Sequence, residues 1–181
     1  PKTLFNVAPK IAPFMSKHNI ALSSVSASKC EPSYFAGGRV RALSHREVKK
    51  VIRQFIDGAV RCQKAGIDGV ELHGTHGYLI QQFLSPNTNH RTDEYGGSFE
   101  NRYRFPVEIV KEIKRVCGED FPVSLRFSVE SKAKGFRQGA LPGEEYQEVG
   151  RDLEEAKKAA RYLQDAGYDM LNCDNGTYDA W

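Results

Sequence analysis

Apolar residues recur every three to four positions along three stretches of the chain and alternate with polar ones in three others. The first periodic stretch opens at SHREVKKVIRQF, with apolar residues at 48, 51, 52, 55, 56, 59 and 60. That stripe has the 3.6-residue period of a helix packed on one face. Ser44 followed by Glu47 has the form of a capping box, and Gly66 is the natural stop. The second helix follows GGSFENRYRF. Ser98 is its cap, Phe105, Ile109, Ile113 and Val116 mark its apolar face, and Gly118 ends it. The third runs over LEEAKKAARYLQDAG, with Leu153, Ala156, Ala160 and Leu163 as its stripe and Gly167 as its stop. Its first-turn acids suit the positive end of a helix dipole.

A short strand pattern follows each helix: GVELHG, PVSLRFSV and DMLNCD. The joints repeat as well, AGIDGVEL at 65–72 and AGYDMLNC at 166–173, and the stop glycines at 66, 118 and 167 are 52 and 49 residues apart. This is a repeated βα unit with long loops after the strands, which predicts an α/β fold on a parallel sheet. In each strand one face is apolar and the other polar. Val70 and Leu72 oppose Glu71 and His73; Val123, Leu125 and Phe127 oppose Ser124, Arg126 and Ser128; Leu171 and Cys173 oppose Asn172 and Asp174. A doubly wound sheet buries both faces and reads apolar throughout. A polar second face therefore favours a (β/α)8 barrel, with His73, Arg126 and Asp174 at the C-terminal strand ends where barrel active sites lie. Such a barrel takes about 250 residues, so the chain is expected to cover about the middle of one. On this reading 1–181 is one partial barrel domain. Residues 1–43 form a loop region, with NIALSSV as a candidate extended piece, and 44–181 hold a helix and successive βα units.

The bulk properties narrow the partners. With 40% hydrophobic and 27% charged residues the chain reads as soluble and globular, and a net charge of +3 is too mild to imply nucleic acid or an anionic membrane. No apolar run is long enough to span a bilayer. The start, PKTLFNVAPK, lacks the apolar core of a signal peptide and an initiator Met, which suggests a piece of something longer. Cysteines at 30, 62, 117 and 173 are too scattered for a metal or cluster motif and fit a reducing cytoplasm.

The candidate chemistry sits in HGTHGY, His73 to Tyr78. A zinc site is disfavoured: the pair lies at a strand end among glycines, and no third ligand stands at zinc spacing. A second alternative is a pair of ordinary core histidines. The third is chemical. Two adjacent imidazole N–H groups can hold a carbonyl or carboxylate oxygen and stabilise charge that develops there, and a tyrosine hydroxyl can give a proton. Arg126, a fixed cation on the polar face, can hold an anionic ligand or an electron-rich ring, or form an ion pair with Glu71 or Asp174.

The stretch AGIDGVELHGTHGYLIQQFLSPNTNHRTDEYGGSFENRYRF, continued by VSLRFS, resembles the old yellow enzyme family of flavin-dependent ene-reductases, above all its 2-enoate and 2,4-dienoyl-CoA reductase branch. The resemblance implies an FMN-dependent oxidoreductase that reduces activated C=C bonds of unsaturated carbonyl or carboxylate compounds with NAD(P)H. It implies that His73 and His76 bind the activating oxygen, that Tyr78 protonates the α-carbon and that Arg126 meets the pyrimidine side of FMN. It also implies that Arg91, Asp93, Tyr95, Arg102 and Arg104 tie a loop to the following helix.

The early flavin-contacting strands and the FMN phosphate strands of the family have no counterpart here. An iron–sulfur cluster and FAD, common in this branch, would belong only to a longer parent. Open sheet edges in such a piece would favour self-association. The alternatives are a flavin-barrel dehydrogenase of the amine type and a fragment without autonomous activity. Two loops stay open in role. KCEPSYFAGGRV offers Tyr34 and Phe35 as pocket walls or as packing. SKAKGFRQGALPGEEY, a long mobile loop by composition, offers Lys132 and Lys134 to an acidic substrate tail or to solvent.

Overall fold

The computed structural model of the chain describes residues 23–29, 39–135 and 138–174. Its first long helix, α1 (His45–Lys64), starts where the capping box places it. Ser44 Oγ accepts from the backbone N–H of Glu47, and the Glu47 carboxylate accepts from the Ser44 N–H. Such a cap stabilises a helix by about 1 kcal/mol. The chain leaves α1 through Gly66, held at φ 81°, where L side chains are strained. Val48, Ile52 and Ala59 are buried, and Phe55 meets Phe105 edge-on at 6.2 Å.

Three strands form one parallel sheet in the order β3–β4–β7: β3 (Val70–Gly74), β4 (Val123–Ser128) and β7 (Met170–Asp174). Their register places Glu71 beside Ser124, His73 beside Arg126 beside Asn172, and Ser128 beside Asp174. The polar residues expected to share a face therefore do so, and Leu72, Val123, Leu125 and Phe127 of the apolar set are buried, whereas Cys173 on β7 is exposed. The burial of Val123, Leu125 and Phe127 contributes roughly 1.5–3 kcal/mol for each. Asp169 sets the start of the sheet. Its Oδ2 accepts from Lys114 Nζ and from the Val123 N–H, both at 2.7 Å.

The second long helix, α3 (Phe99–Cys117), is capped by Ser98 as expected. A short helix, α2 (Leu79–Leu84), precedes it and was not legible from periodicity, being under two turns long. The third long helix, α4 (Leu153–Ala166), begins at Asp152, whose carboxylate accepts from the Glu155 N–H at 2.8 Å, and ends at Gly167 in the left-handed region. Two stripes shift from their expected lines. In α3 Val110 is buried and Val116 is 45% exposed; in α4 the buried line is Ala156, Ala159 and Leu163, with Leu153 47% exposed. Val116 lies in the last turn of α3 and Leu153 opens α4, so both stand at helix ends.

Two small sheets lie outside the barrel-like unit. Within the stretch read as loop, β1 (Ser23–Ser26) pairs in parallel with β2 (Arg39–Ala42). The end of NIALSSV thus lies in a strand, while residues 19–22, Cys30, Tyr34 and Phe35 fall outside the described residues. Beyond β4, the hairpin β5 (Ala133–Gly135) and β6 (Gln138–Gly139) gives local order to the lysine-bearing loop. Lys132 lies 3.7 Å from the carboxylate of Glu130, and Lys134 pairs with Glu144 at 2.5 Å. Among the described residues no helix is long and apolar enough to cross a membrane.

Candidate active site

His73 occupies the last turn-ward position of β3 on its polar face. Gly74 then lets the strand approach β4: a Cβ there would stand 2.6 Å from the Arg126 carbonyl oxygen, a clash with backbone. The chain next makes a tight turn. His76 has φ 58° and Gly77 φ 76°, and the Tyr78 N–H donates to the Thr75 carbonyl at 3.2 Å. A histidine in the left-handed region costs on the order of 1 kcal/mol and persists only where its surroundings hold it. Two glutamines of α2 do so. Gln81 Oε1 accepts from the Gly77 N–H at 2.6 Å, and Gln82 Nε2 donates to the Gly77 carbonyl at 2.7 Å.

The turn brings the three expected side chains together. The His73 ring lies 5.3 Å from that of His76 and 4.8 Å from that of Tyr78, centroid to centroid. Tyr78 is half exposed, at the mouth of the cluster. Arg126, one strand over, faces the same side and is 38% exposed. It also forms one of the two ion pairs open to it in the sequence: Nε donates to Asp174 Oδ2 at 2.9 Å, and Nη2 meets the same oxygen. That oxygen lies 3.0 Å from His76 Nε2 as well. Asp174 thus joins Arg126 to the second histidine, a link that strand alternation cannot reveal because it depends on the left-handed turn at His76.

Glu71, the other carboxylate of the face, is held by neutral donors. Ser124 Oγ and Asn172 Nδ2 each donate to it at 3.1 Å. The electrostatics single out His73. Burial, then the neighbouring His76 and Arg126, hold its imidazole below the ordinary histidine pKa, against a smaller opposing pull from Glu71 and Asp174. Two buried polar atoms of the turn, Thr75 Oγ1 and Gln82 Oε1, have no hydrogen-bond partner in the structure. Among the described residues no group of three or more His, Cys, Asp or Glu side chains is placed to hold a metal ion.

The loop after α2 is a buttress. Arg91 pairs with Asp93 and donates to the Ala27 and Leu43 carbonyls at 2.9 and 2.6 Å, so it ties β1 and β2 to the loop. Tyr95 is buried with its hydroxyl 2.9 Å from Glu108, and burial pushes its pKa up to about 12. Arg102 forms a two-pronged pair with Glu155 of α4, and Arg104 Nε donates to the Glu94 carbonyl. A cleft of about 420 Å³ opens between β1–β2 and residues 90–93. None of His73, His76, Tyr78 or Arg126 lines it, and its one buried cation, Arg91, is already saturated by Asp93 and two carbonyls.

The sequence pattern of the NADH:flavin oxidoreductase / NADH oxidase family matches residues 12–164. The chain belongs to this family. It is 51% identical over 159 residues to cinnamate reductase of Clostridium sporogenes, across 87% of this chain and 24% of that protein. Its fold matches 2-naphthoyl-CoA reductase in complex with 2-naphthoyl-CoA, with a TM-score of 0.75 and 29% identity over 86% of this chain and 22% of that one. It also matches the old yellow enzyme homologue of Zymomonas mobilis, with a TM-score of 0.67 and 28% identity over 84% and 42% of the two chains. The fold is therefore that of a portion of an old yellow enzyme (β/α)8 barrel. The chain spans about a quarter of the length of the cinnamate reductase it resembles.

Proposed function

We propose that this flavin oxidoreductase chain carries the substrate-activating face of an ene-reductase, which reduces an electron-poor C=C bond next to a carbonyl or carboxylate at the expense of NAD(P)H. The observation that carries the reading is the packing of His73, His76 and Tyr78 in one turn at the end of β3, with Arg126 in register on β4. The polar face suits the pyrimidine edge of a flavin in its donor set: a fixed cation, Arg126, stands in register with His73, and His76 follows in the adjoining turn. When bound, FMN supplies the two-electron chemistry, taken from NAD(P)H and passed to the β-carbon of the alkene.

The residues of this chain do the rest. Arg126 would hold the electron-rich edge of the ring. His73 and His76 bind the oxygen of the activating group and stabilise negative charge as it builds there. Tyr78, beside His73 and open to the mouth, gives its hydroxyl proton to the α-carbon. Gln81 and Gln82 keep the turn in the conformation that aims all three. The likeness to a cinnamate reductase makes cinnamate the first acceptor to try.

Tyr78→Phe tests the division of labour. Flavin reduction by NAD(P)H should proceed at an unchanged rate, while reoxidation by the alkene, followed in stopped flow, should slow by about 100-fold or more, the usual scale for a lost general acid. Equal slowing of both half-reactions would remove Tyr78 from the proton-donor role.

A further inference from the structure

We propose that one edge of the buried Arg151 guanidinium is an anion site, which takes a small planar oxyanion such as formate or bicarbonate at the root of the 131–151 loop. The site is separate from the His73–His76–Tyr78 turn and does not depend on what that turn binds. Arg151 stands just before α4 and is 1% exposed. Its backbone is pinned: the Arg151 N–H donates to Ser131 Oγ and the Ser131 N–H donates to the Arg151 carbonyl, both at 3.0 Å. Gly150 passes so close that a Cβ there would stand 2.4 Å from Ser131 Oγ. From this fixed point the side chain reaches Phe127 of β4 and Tyr103 of α3.

Those contacts leave its charge unanswered. Cζ lies 4.5 Å from the centre of the Phe127 ring, which attracts a cation but carries no charge of its own. Nη1 donates to the Tyr103 hydroxyl at 3.2 Å. Burial holds that phenol well above its ordinary pKa, so it meets Arg151 as a neutral group. The Tyr103 hydroxyl in turn donates to Glu155 Oε1 at 3.2 Å, and both Glu155 oxygens already accept from Arg102. The flanking acids are engaged elsewhere: Glu148 accepts from the Gly150 N–H at 2.7 Å, and Asp152 caps α4. Among the described residues Arg102, Arg151 and Glu155 thus set two cations against one carboxylate, and Arg102 holds the carboxylate.

The remaining nitrogens define the ligand. Nε and Nη2 of Arg151 are buried and have no hydrogen-bond partner in the structure. In a planar guanidinium these two share an edge, and their N–H bonds run parallel as a fork. Such a fork matches the two oxygens of a carboxylate-like ion. A water molecule accepts from it but leaves a buried cation without a countercharge, which is the costlier defect. A single-atom anion brings the charge but cannot lie along both N–H bonds. A planar oxyanion meets both demands, and the depth of burial selects a small one.

The test uses the flavin-loaded full chain with isotope-labelled arginine, followed by NMR. The Nε–H signal of Arg151, assigned by its loss in Arg151→Lys, would be watched during titration with formate and with formamide, the neutral isostere. Formate should carry the signal to a saturating end point and slow its exchange with water; formamide should do neither. In urea denaturation at constant ionic strength, kept with chloride, the folding equilibrium constant should rise about tenfold for each tenfold rise in formate above its Kd. Arg151→Met, which keeps an apolar stem over Phe127, should lose that dependence. Arg126→Ala should keep it.

A formate dependence that survives Arg151→Met, or that disappears in Arg126→Ala, would put the ion elsewhere and overturn the proposal. Formamide acting as formate does would overturn it as well, because charge would then play no part. So would an Nε–H signal indifferent to formate, a reading taken on the unmodified protein that stands whether or not Arg151→Met folds.

Discussion

Arg102 and Arg126 are both paired with carboxylates from the last described βα unit, yet the pairs are built differently. Arg102 is 7% exposed and meets Glu155 prong to prong, Nη1 to Oε1 at 2.9 Å and Nη2 to Oε2 at 2.7 Å. It locks the start of α3 to the start of α4. Arg126 is 38% exposed and directs two nitrogens at one oxygen of Asp174, which it shares with His76. The first arrangement fixes two helices in one geometry. The second gathers one arginine, one histidine and one carboxylate at the C-terminal end of the strands, around a single oxygen. Buttress and site are neighbours in sequence and are built on different plans, matched prongs in one and a shared oxygen in the other.

The sharpest way to break the comparison is to remove each arginine. Arg102→Ala strands Glu155 beside a buried cavity and should cost about 3–5 kcal/mol of unfolding free energy, read by urea denaturation. Arg126→Ala, in a partly exposed pair, should cost about 1 kcal/mol or less while removing the flavin-side contact proposed for it. Equal costs would erase the distinction. A smaller effect is expected at Gly74→Ala, where the new methyl group meets the Arg126 backbone. The loss should be about 1–3 kcal/mol, as in other overpacked positions, with weakened protection of the β3–β4 amides in hydrogen exchange.

The smallest effect is a pH slope. Because His73 is held below its ordinary pKa, the unfolded chain binds more protons than the folded one in mild acid. Stability should therefore fall as pH drops below about 6.5 and through the lower folded value. His73→Gln should flatten that part of the profile. A slope that survives the substitution would assign it to another group.

Much of this was legible in the sequence because it rests on local rules. The caps at Ser44 and Ser98, the stop glycines and the three parallel strands follow from period and turn chemistry. The clustering of His73, His76 and Tyr78 follows from their spacing in one short segment. What was not legible depends on contacts made at long range. Helix α2 is too short to show a period, and its role, Gln81 and Gln82 clasping Gly77, appears only once the turn is formed. The bridge from His76 through Asp174 to Arg126 spans three βα segments. Alternation places Arg126 and Asp174 on one face but says nothing of the left-handed backbone that swings His76 toward them. The exposed Val116 and Leu153 show the limit of periodicity itself, which marks a face of a helix but not which of its positions, above all at the ends, are covered.

The central assignment, that His73 and His76 bind the activating oxygen, is tested most directly by ligand titration. The flavin-loaded protein and its His73→Ala, His76→Ala double variant would each be titrated with a para-substituted phenol, following the long-wavelength band that forms when a phenolate stacks on the flavin. The expected result is a clear band in the unmodified protein and its loss in the variant, with flavin still bound. An undiminished band in the double variant would contradict the assignment.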